Sequence, residues 1–151
     1  MHKRIRLGMV GGGQGAFIGA VHRIAARLDD RYELVAGALS SNPERAATSA
    51  EEIGINIDRS YADFRKMAAA ESKRVDGIEA VAIVTPNHLH AEVSIAFAEV
   101  GIDVICDKPM TFSLEEALEV ANVVKKSGVT FTLTHNYTGY PMIREARSLV
   151  Q

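Results

Sequence analysis

Short apolar runs alternate with longer stretches of helical spacing along the whole chain, and this alternation limits the folds open to it. The runs are Ile5 to Val10, Tyr32 to Leu39, Ile78 to Val84, Ile102 to Cys106 and Val129 to Thr134. Between them, Ala16 to Leu28, Pro43 to Ile53, His88 to Val100 and Ser113 to Ser127 read as helices. Their ends carry the expected chemistry. Asn42 is placed to cap the second helix, with Pro43 at its first position. Ser113 and Glu116 form a capping box, while Gly101 and Gly128 close the helices before them. A weaker strand near Arg59 to Tyr61 and a short helix at Ala62 to Ala70 fill the remaining gap, and Tyr140 to Gln151 again reads as helical. Strands that alternate with helices pair in parallel, because each crossover needs a helix to return the chain to the same end. "AVAIV" and "IDVIC" are apolar at nearly every position, as strands buried on both faces are. The expected fold is α/β: a doubly wound parallel sheet with helices on both faces, in one domain of 151 residues.

The first strand runs directly into Gly11, Gly12 and Gly13, and Gly15 and Gly19 follow before the helix is established. A dinucleotide pyrophosphate needs such a turn. One glycine permits the bend, one lets the backbone approach the phosphates, and one lets helix and strand pack closely. The helix N-terminus then offers free N–H groups to the anion. The G-x-G-x-x-G spacing fits as Gly11, Gly13 and Ala16, or as Gly11, Gly13 and Gly19 with a longer loop. Gly11, Gly12, Gly13, Gln14, Gly15, Phe17 and Ile18 are the candidate cofactor contacts here.

The second strand ends in "ALSSNPERA". An acidic residue about 20 positions past the glycines ordinarily accepts the ribose 2′-hydroxyl of NAD. That place holds Ser40 and Ser41, with Arg45 in the next helix. Two hydroxyls and a guanidinium suit a 2′-phosphate, which gives a slight preference for NADP over NAD. After the next buried strand, Thr85, Pro86, Asn87 and His90 are candidate cofactor contacts. His88 and His90 lack the i, i+4 spacing of a helical metal site, and no metal is expected. Asp107 and Lys108 follow the strand that ends at Cys106, at the sheet edge where parallel sheets bind ligands. Lys108 is the candidate catalytic residue, as a donor to a substrate hydroxyl or as a proton-handling group.

Composition excludes several other classes. The net charge of -2 gives no broad basic surface for nucleic acid, and the basic residues His2, Lys3, Arg4 and Arg6 read as the solvated start of a strand. No apolar stretch approaches the roughly 18 residues of a membrane span, and the N-terminus lacks the apolar core of a signal peptide. Cys106 is the single cysteine, which suits a reducing compartment. The expected location is cytoplasmic.

The glycine turn ending in "GAVH", then "TPNHLHAEVSIAFAEVGIDVICDKP", then "THNYTGYP", resembles the glucose–fructose oxidoreductase, inositol dehydrogenase and MocA-like family over essentially the whole chain. The resemblance implies a Rossmann domain that is followed, in the family, by a largely antiparallel β-sheet domain. It implies NAD(P)-dependent dehydrogenase chemistry on CH–OH groups of a sugar, polyol or related compound, in a protein that is commonly a homo-oligomer. The family's glutamate-lysine-proline motif matches Asp107, Lys108 and Pro109, with aspartate in place of glutamate. Lys108 thereby inherits a contact to the substrate hydroxyl. Asn136 inherits a position facing the cleft, and His22 matches a recurring histidine with a structural role. Gly15, Ala16 and Phe17 are extra residues relative to the family loop. The family's catalytic histidine belongs to the second domain, so this chain is expected to be a fragment, inactive alone. A non-catalytic dinucleotide-binding module is the alternative. A methyltransferase of the same architecture is disfavoured, since it would want an acid where Ser40 and Ser41 stand.

Overall fold

In the computed structural model, which describes residues 3–151, the apolar runs form a single all-parallel sheet. Its strands are β1 (Ile5–Gly11), β2 (Tyr32–Ala38), β3 (Ala80–Val84), β4 (Asp103–Cys106) and β5 (Phe131–Leu133), in the spatial order β2-β1-β3-β4-β5. The chain steps from β1 outward to β2, then returns past β1 to β3. The order therefore reverses beside β1, and a crevice opens beyond the strand ends there. His2 of the basic N-terminal cluster lies outside the described residues.

The helices are α1 (Phe17–Arg27), α2 (Pro43–Glu52), α3 (Phe64–Glu71), α4 (His90–Ala98), α5 (Leu114–Ser127) and α6 (Pro141–Val150). Alternation of side chains along each strand divides the core into two layers. Leu7, Met9, Ala80, Ala82 and Val84 face one side, where Ile18 and Ala26 of α1 and Ala50 of α2 pack. Val10, Val81, Ile83, Val104 and Cys106 face the other, against Met67 of α3 and Val93 and Phe97 of α4. All five residues of β3 are buried, as its unbroken apolar run requires. No helix among the described residues is long and apolar enough to cross a membrane.

Caps form where the sequence places them. Arg45 N–H donates to Asn42 Oδ1 at 3.0 Å, and Glu116 N–H donates to Ser113 Oγ at 3.2 Å. The Glu116 carboxylate reaches back to Phe112 N–H at 2.9 Å, just outside the cap. Asp63 caps α3 by accepting from Lys66 N–H at 2.9 Å, so this helix starts at Phe64 rather than Ala62. Gly128 closes α5 in the left-handed region, φ 73°. Gly101, also left-handed, stands beyond the capping residue Glu99 and turns the chain toward β4.

The expected strand at Arg59 to Tyr61 does not form. Ile57–Arg59 is a turn of 3-10 helix, and a single bridge between Gly37 and Ser60 follows. The segment is pinned by side chains instead. Arg59 pairs with the fully buried Glu71, which also accepts from Tyr61 Oη at 3.0 Å and Ile78 N–H at 3.2 Å. Burial first, then the Glu71 carboxylate, pushes the Tyr61 hydroxyl up to about 12. This network fixes the chain just ahead of β3. Glu71→Ala leaves the Arg59 guanidinium only the exposed Asp76, 3.8 Å away, and is expected to cost about 3 kcal/mol of stability, read by urea denaturation.

Candidate functional site

The glycine loop fills the crevice at the point of strand reversal. Gly11 and Gly12 have φ of 81° and 75°, a region that other residues rarely enter. Gly12 packs directly on Gly19: a Cβ built on Gly19 would stand 2.4 Å from Gly12 Cα. Gly19 is buried and Ala16 exposed, so Gly19 supplies the close helix–strand contact that the sequence leaves open between them. A Cβ on Gly13 would stand 2.7 Å from the Leu39 carbonyl oxygen and 2.8 Å from Ser49 Oγ, so the end of β2 also crowds the loop. Gly15 has open space around it.

Of the extra residues, Ala16 N–H donates to the Gly13 carbonyl at 3.0 Å and Phe17 is exposed; the loop is tied down through Gln14 and Gly12 beside them. Gln14 N–H donates to Ser49 Oγ at 3.0 Å, and the Gln14 amide bonds Glu52. Arg45 Nη2 donates to the Gln14 carbonyl at 3.4 Å. Arg23 of α1 donates to the Gly12 carbonyl at 2.9 Å. Ser49, Glu52 and Arg23 carry no motif that a sequence reading isolates. They become relevant only once α1 and α2 are packed beside the loop.

Two clefts flank this loop at the carboxyl edge. The first, about 490 Å³, is lined by Gly11, Gly12, Gly13, Gln14, Ser40, Ser41, Arg45, Ser49, Thr85 and Pro86. It unites the glycine turn, the β2 end and the β3 end, as the sequence expects. The second, about 770 Å³, opens on the β4–β5 side of α1. Phe17, Ile18, His22, Asp107, Lys108, Thr134, Asn136 and Tyr137 are among its lining residues. Asn136 opens a 3-10 turn, Asn136–Gly139, just past β5. Asn87 is exposed at the start of the 3-10 turn Asn87–Leu89 and lines neither cleft. His90, among the candidate cofactor contacts, is buried behind the loops with both ring nitrogens against protein carbonyls, so its side chain does not line either cleft.

A dinucleotide fits the first cleft on two observations. Gly11, Gly12 and Gly13 line it with no side chain between their backbone and the cleft. Thr85 Oγ1, at the cleft's β3 wall, is shielded from solvent and has no protein hydrogen-bond partner. A buried hydroxyl ordinarily has one.

Residues 5–135 match the GFO/IDH/MocA sequence profile, described as an oxidoreductase family with an NAD-binding Rossmann fold. The chain belongs to this family. An uncharacterised oxidoreductase of Bacillus subtilis is 37% identical over 150 residues, which are 99% of this chain and 38% of that protein. The crystal structure of an oxidoreductase from Sinorhizobium meliloti superposes with a TM-score of 0.94 at 60% identity, over 99% of this chain and 41% of that one. An inositol dehydrogenase homologue from Azotobacter vinelandii, solved in complex with NADH and myo-inositol, superposes with a TM-score of 0.95 at 37% identity, over 99% and 40%. The chain thus spans about two fifths of the length of these relatives and corresponds to their N-terminal part.

The second cleft has its own polar chemistry. Asp107 Oδ1 accepts from Thr134 Oγ1 at 2.8 Å and lies 3.7 Å from His22 Nε2. Burial lowers the His22 pKa, and the Asp107 charge opposes the shift without cancelling it. Burial also pushes the Cys106 thiol up to about 11, which leaves no thiolate at this edge. The folded chain holds His22 neutral where the unfolded chain already protonates it. Stability from this group is therefore present above the ordinary histidine range and is lost as pH falls through and below it. An NMR titration is expected to place the His22 midpoint below that of an unstructured histidine, and Asp107→Asn is expected to lower it further. A midpoint raised by Asp107→Asn would show that the carboxylate does not favour the imidazolium.

Proposed function

We propose that this chain is the dinucleotide-binding domain of an NAD(P)-dependent dehydrogenase that acts on the CH–OH group of a sugar, polyol or related compound. The observation that carries the reading is one of placement. The glycine loop, the unpartnered Thr85 hydroxyl and Lys108 all stand at the same carboxyl edge, around the point where strand order reverses. A bound nicotinamide supplies the acceptor or donor of the hydride. The chain's own work is orientation and proton handling. The free N–H groups at the start of α1 and the loop backbone hold the pyrophosphate. Thr85 and Pro86 form the wall on the β3 side. Lys108 is exposed at the mouth of the second cleft, where its ammonium donates to the substrate oxygen. Asn136 lines the same cleft and offers a further polar contact.

The reading favours NADP, because the cleft wall at the β2 end holds Ser40, Ser41 and Arg45 and no acid. Arg45 is exposed, and its weak 3.4 Å contact leaves most of the guanidinium free for a 2′-phosphate. A second domain also belongs to the reading. Tyr137, which lines the Lys108 cleft, and Tyr140, Met142, Ile143, Leu149 and Val150 after it in the chain present apolar surface, more than scattered single residues would. A β-sheet domain that covers this surface would supply the remaining substrate contacts and the face by which copies of the protein assemble.

Calorimetry of the chain with NADP and with NAD tests the cofactor assignment. Arg45→Ala is expected to weaken NADP by about tenfold, the loss of a charge-assisted contact, and to leave NAD nearly unchanged. Equal losses would remove Arg45 from the 2′ position. Turnover on a panel of sugars and polyols tests the chemistry. Residues 1–151 alone are expected to show none, and the longer protein is expected to lose about 10²- to 10⁴-fold in kcat with Lys108→Met. Turnover close to wild type in that variant would leave a dinucleotide-binding module without a catalytic lysine.

A further inference from the structure

His90 opens α4 yet is only 1% exposed, and nothing in the proposed chemistry uses it. Its ring stands between two loops. Nδ1 lies 2.6 Å from the Pro109 carbonyl oxygen, and Nε2 lies 2.9 Å from the Thr85 carbonyl oxygen. Those two carbonyls belong to the loops that leave β3 and β4. One loop forms the Thr85 wall of the dinucleotide cleft, and the other carries Lys108. Among the described residues, no other side-chain hydrogen bond joins these loops.

The choice of side chain follows from the geometry. A carbonyl oxygen only accepts, so each contact needs a ring N–H. An imidazole carries its nitrogens on separate edges of a rigid ring, and can therefore bridge acceptors on different segments without loss of rotamer freedom beyond its own. Either neutral tautomer serves one carbonyl at a time, and the doubly protonated ring serves both. A buried histidine needed only for packing would be satisfied by one carbonyl of its own neighbourhood. Here the partners lie 5 residues before it and 19 after it, on the two strands whose ends bracket the site.

We infer that His90 is a positioning residue that clamps the β3 and β4 loops together through two main-chain carbonyls and so sets where Lys108 stands relative to the dinucleotide cleft. The functional part of this inference rests on the reading above, in which those loops hold the cofactor and meet the substrate. The clamp itself does not.

Amide hydrogen exchange on this chain, compared among wild type, His90→Gln and His90→Leu, tests the clamp without any ligand. Glutamine keeps a donor for one carbonyl and leucine keeps none. The amides of Leu89 and Asp107, which report the two loops, are expected to exchange about tenfold faster in His90→Leu, as the loss of a buried hydrogen bond implies, and less so in His90→Gln. Amides of α5 and of β1 are expected to keep their wild-type rates. Unchanged rates in both loops, or an equal rise throughout the sheet, would overturn the clamp. In the wild type the clamp requires an N–H on each ring nitrogen, so two slowly exchanging His90 ring N–H signals are expected in a long-range 1H–15N spectrum, and a ring with an N–H on one nitrogen or none would overturn it even if neither variant folds. Calorimetry then separates the two layers of the argument. NADPH is expected to bind several-fold more weakly to His90→Leu, while adenosine 2′,5′-bisphosphate, which lacks the nicotinamide half, binds as to wild type. Failure of the wild type to bind either ligand would remove the cofactor reading and leave the exchange result to judge the clamp. Equal loss of both ligands would show that His90 acts on the fold and not on the nicotinamide side of the site.

Discussion

Gly12 and Gly19 touch backbone to backbone, and the carboxyl edge of the sheet is arranged around that contact. β1 is the strand on which the order reverses, so the chain leaving it must turn at once and lay α1 back over the sheet. Any Cβ on Gly19 would fall 2.4 Å from Gly12 Cα, well inside van der Waals contact. Absence of that one carbon lets α1 begin close to the strand end, with its free N–H groups aimed along the edge where a phosphate can meet them. The positive φ of Gly11 and Gly12 belongs to the same requirement. Arg23, donating from α1 to the Gly12 carbonyl, locks the arrangement from outside.

The two clefts divide the work of the edge between rigid and adjustable parts. The cleft at the glycine turn is walled by strand ends and by a loop whose Gln14 is bonded to Ser49 and Glu52 of α2. It is preformed, which favours binding a ligand that is large and shared by many reactions. The Lys108 cleft is bordered by exposed Phe17 and Tyr137, and the chain beyond it, through α6, is exposed along its length. A face of that kind is suited to be finished by contacts from elsewhere, which is how one cofactor scaffold can serve several substrates.

Much of this was legible in the sequence, because the signals involved are local. Hydrophobic periodicity separates strands from helices, and side-chain caps at Asn42 and Ser113 mark helix starts by their own hydrogen bonds. The Thr85 and Lys108 loops stand out by their place after buried strands and by resemblance to the family. What escaped depends on tertiary placement. Arg59 to Tyr61 looks like a strand by composition, but it has a partner only at Ser60, and the Glu71 network takes over. The choice between Ala16 and Gly19 turns on which residue meets Gly12, a distance that spacing does not encode. His90 reads in the sequence as a cofactor contact at a helix start, but the burial of α4 turns it inward while His88 stays exposed. Ser49 sits mid-helix in an unremarkable alanine-rich segment, and only the packing of α2 brings it to the Gln14 amide.

The central claim is that a dinucleotide lies along the edge defined by the glycine loop and the ends of β2, β3 and β4. A 1H–15N chemical-shift map of this chain titrated with NADPH tests it most directly. The account predicts shifts that concentrate on residues 11–18, 40–45, 85–89 and 107–110, and that saturate together with one affinity. Shifts confined to the groove between α3, α4 and α5, or spread evenly over the surface, would contradict it.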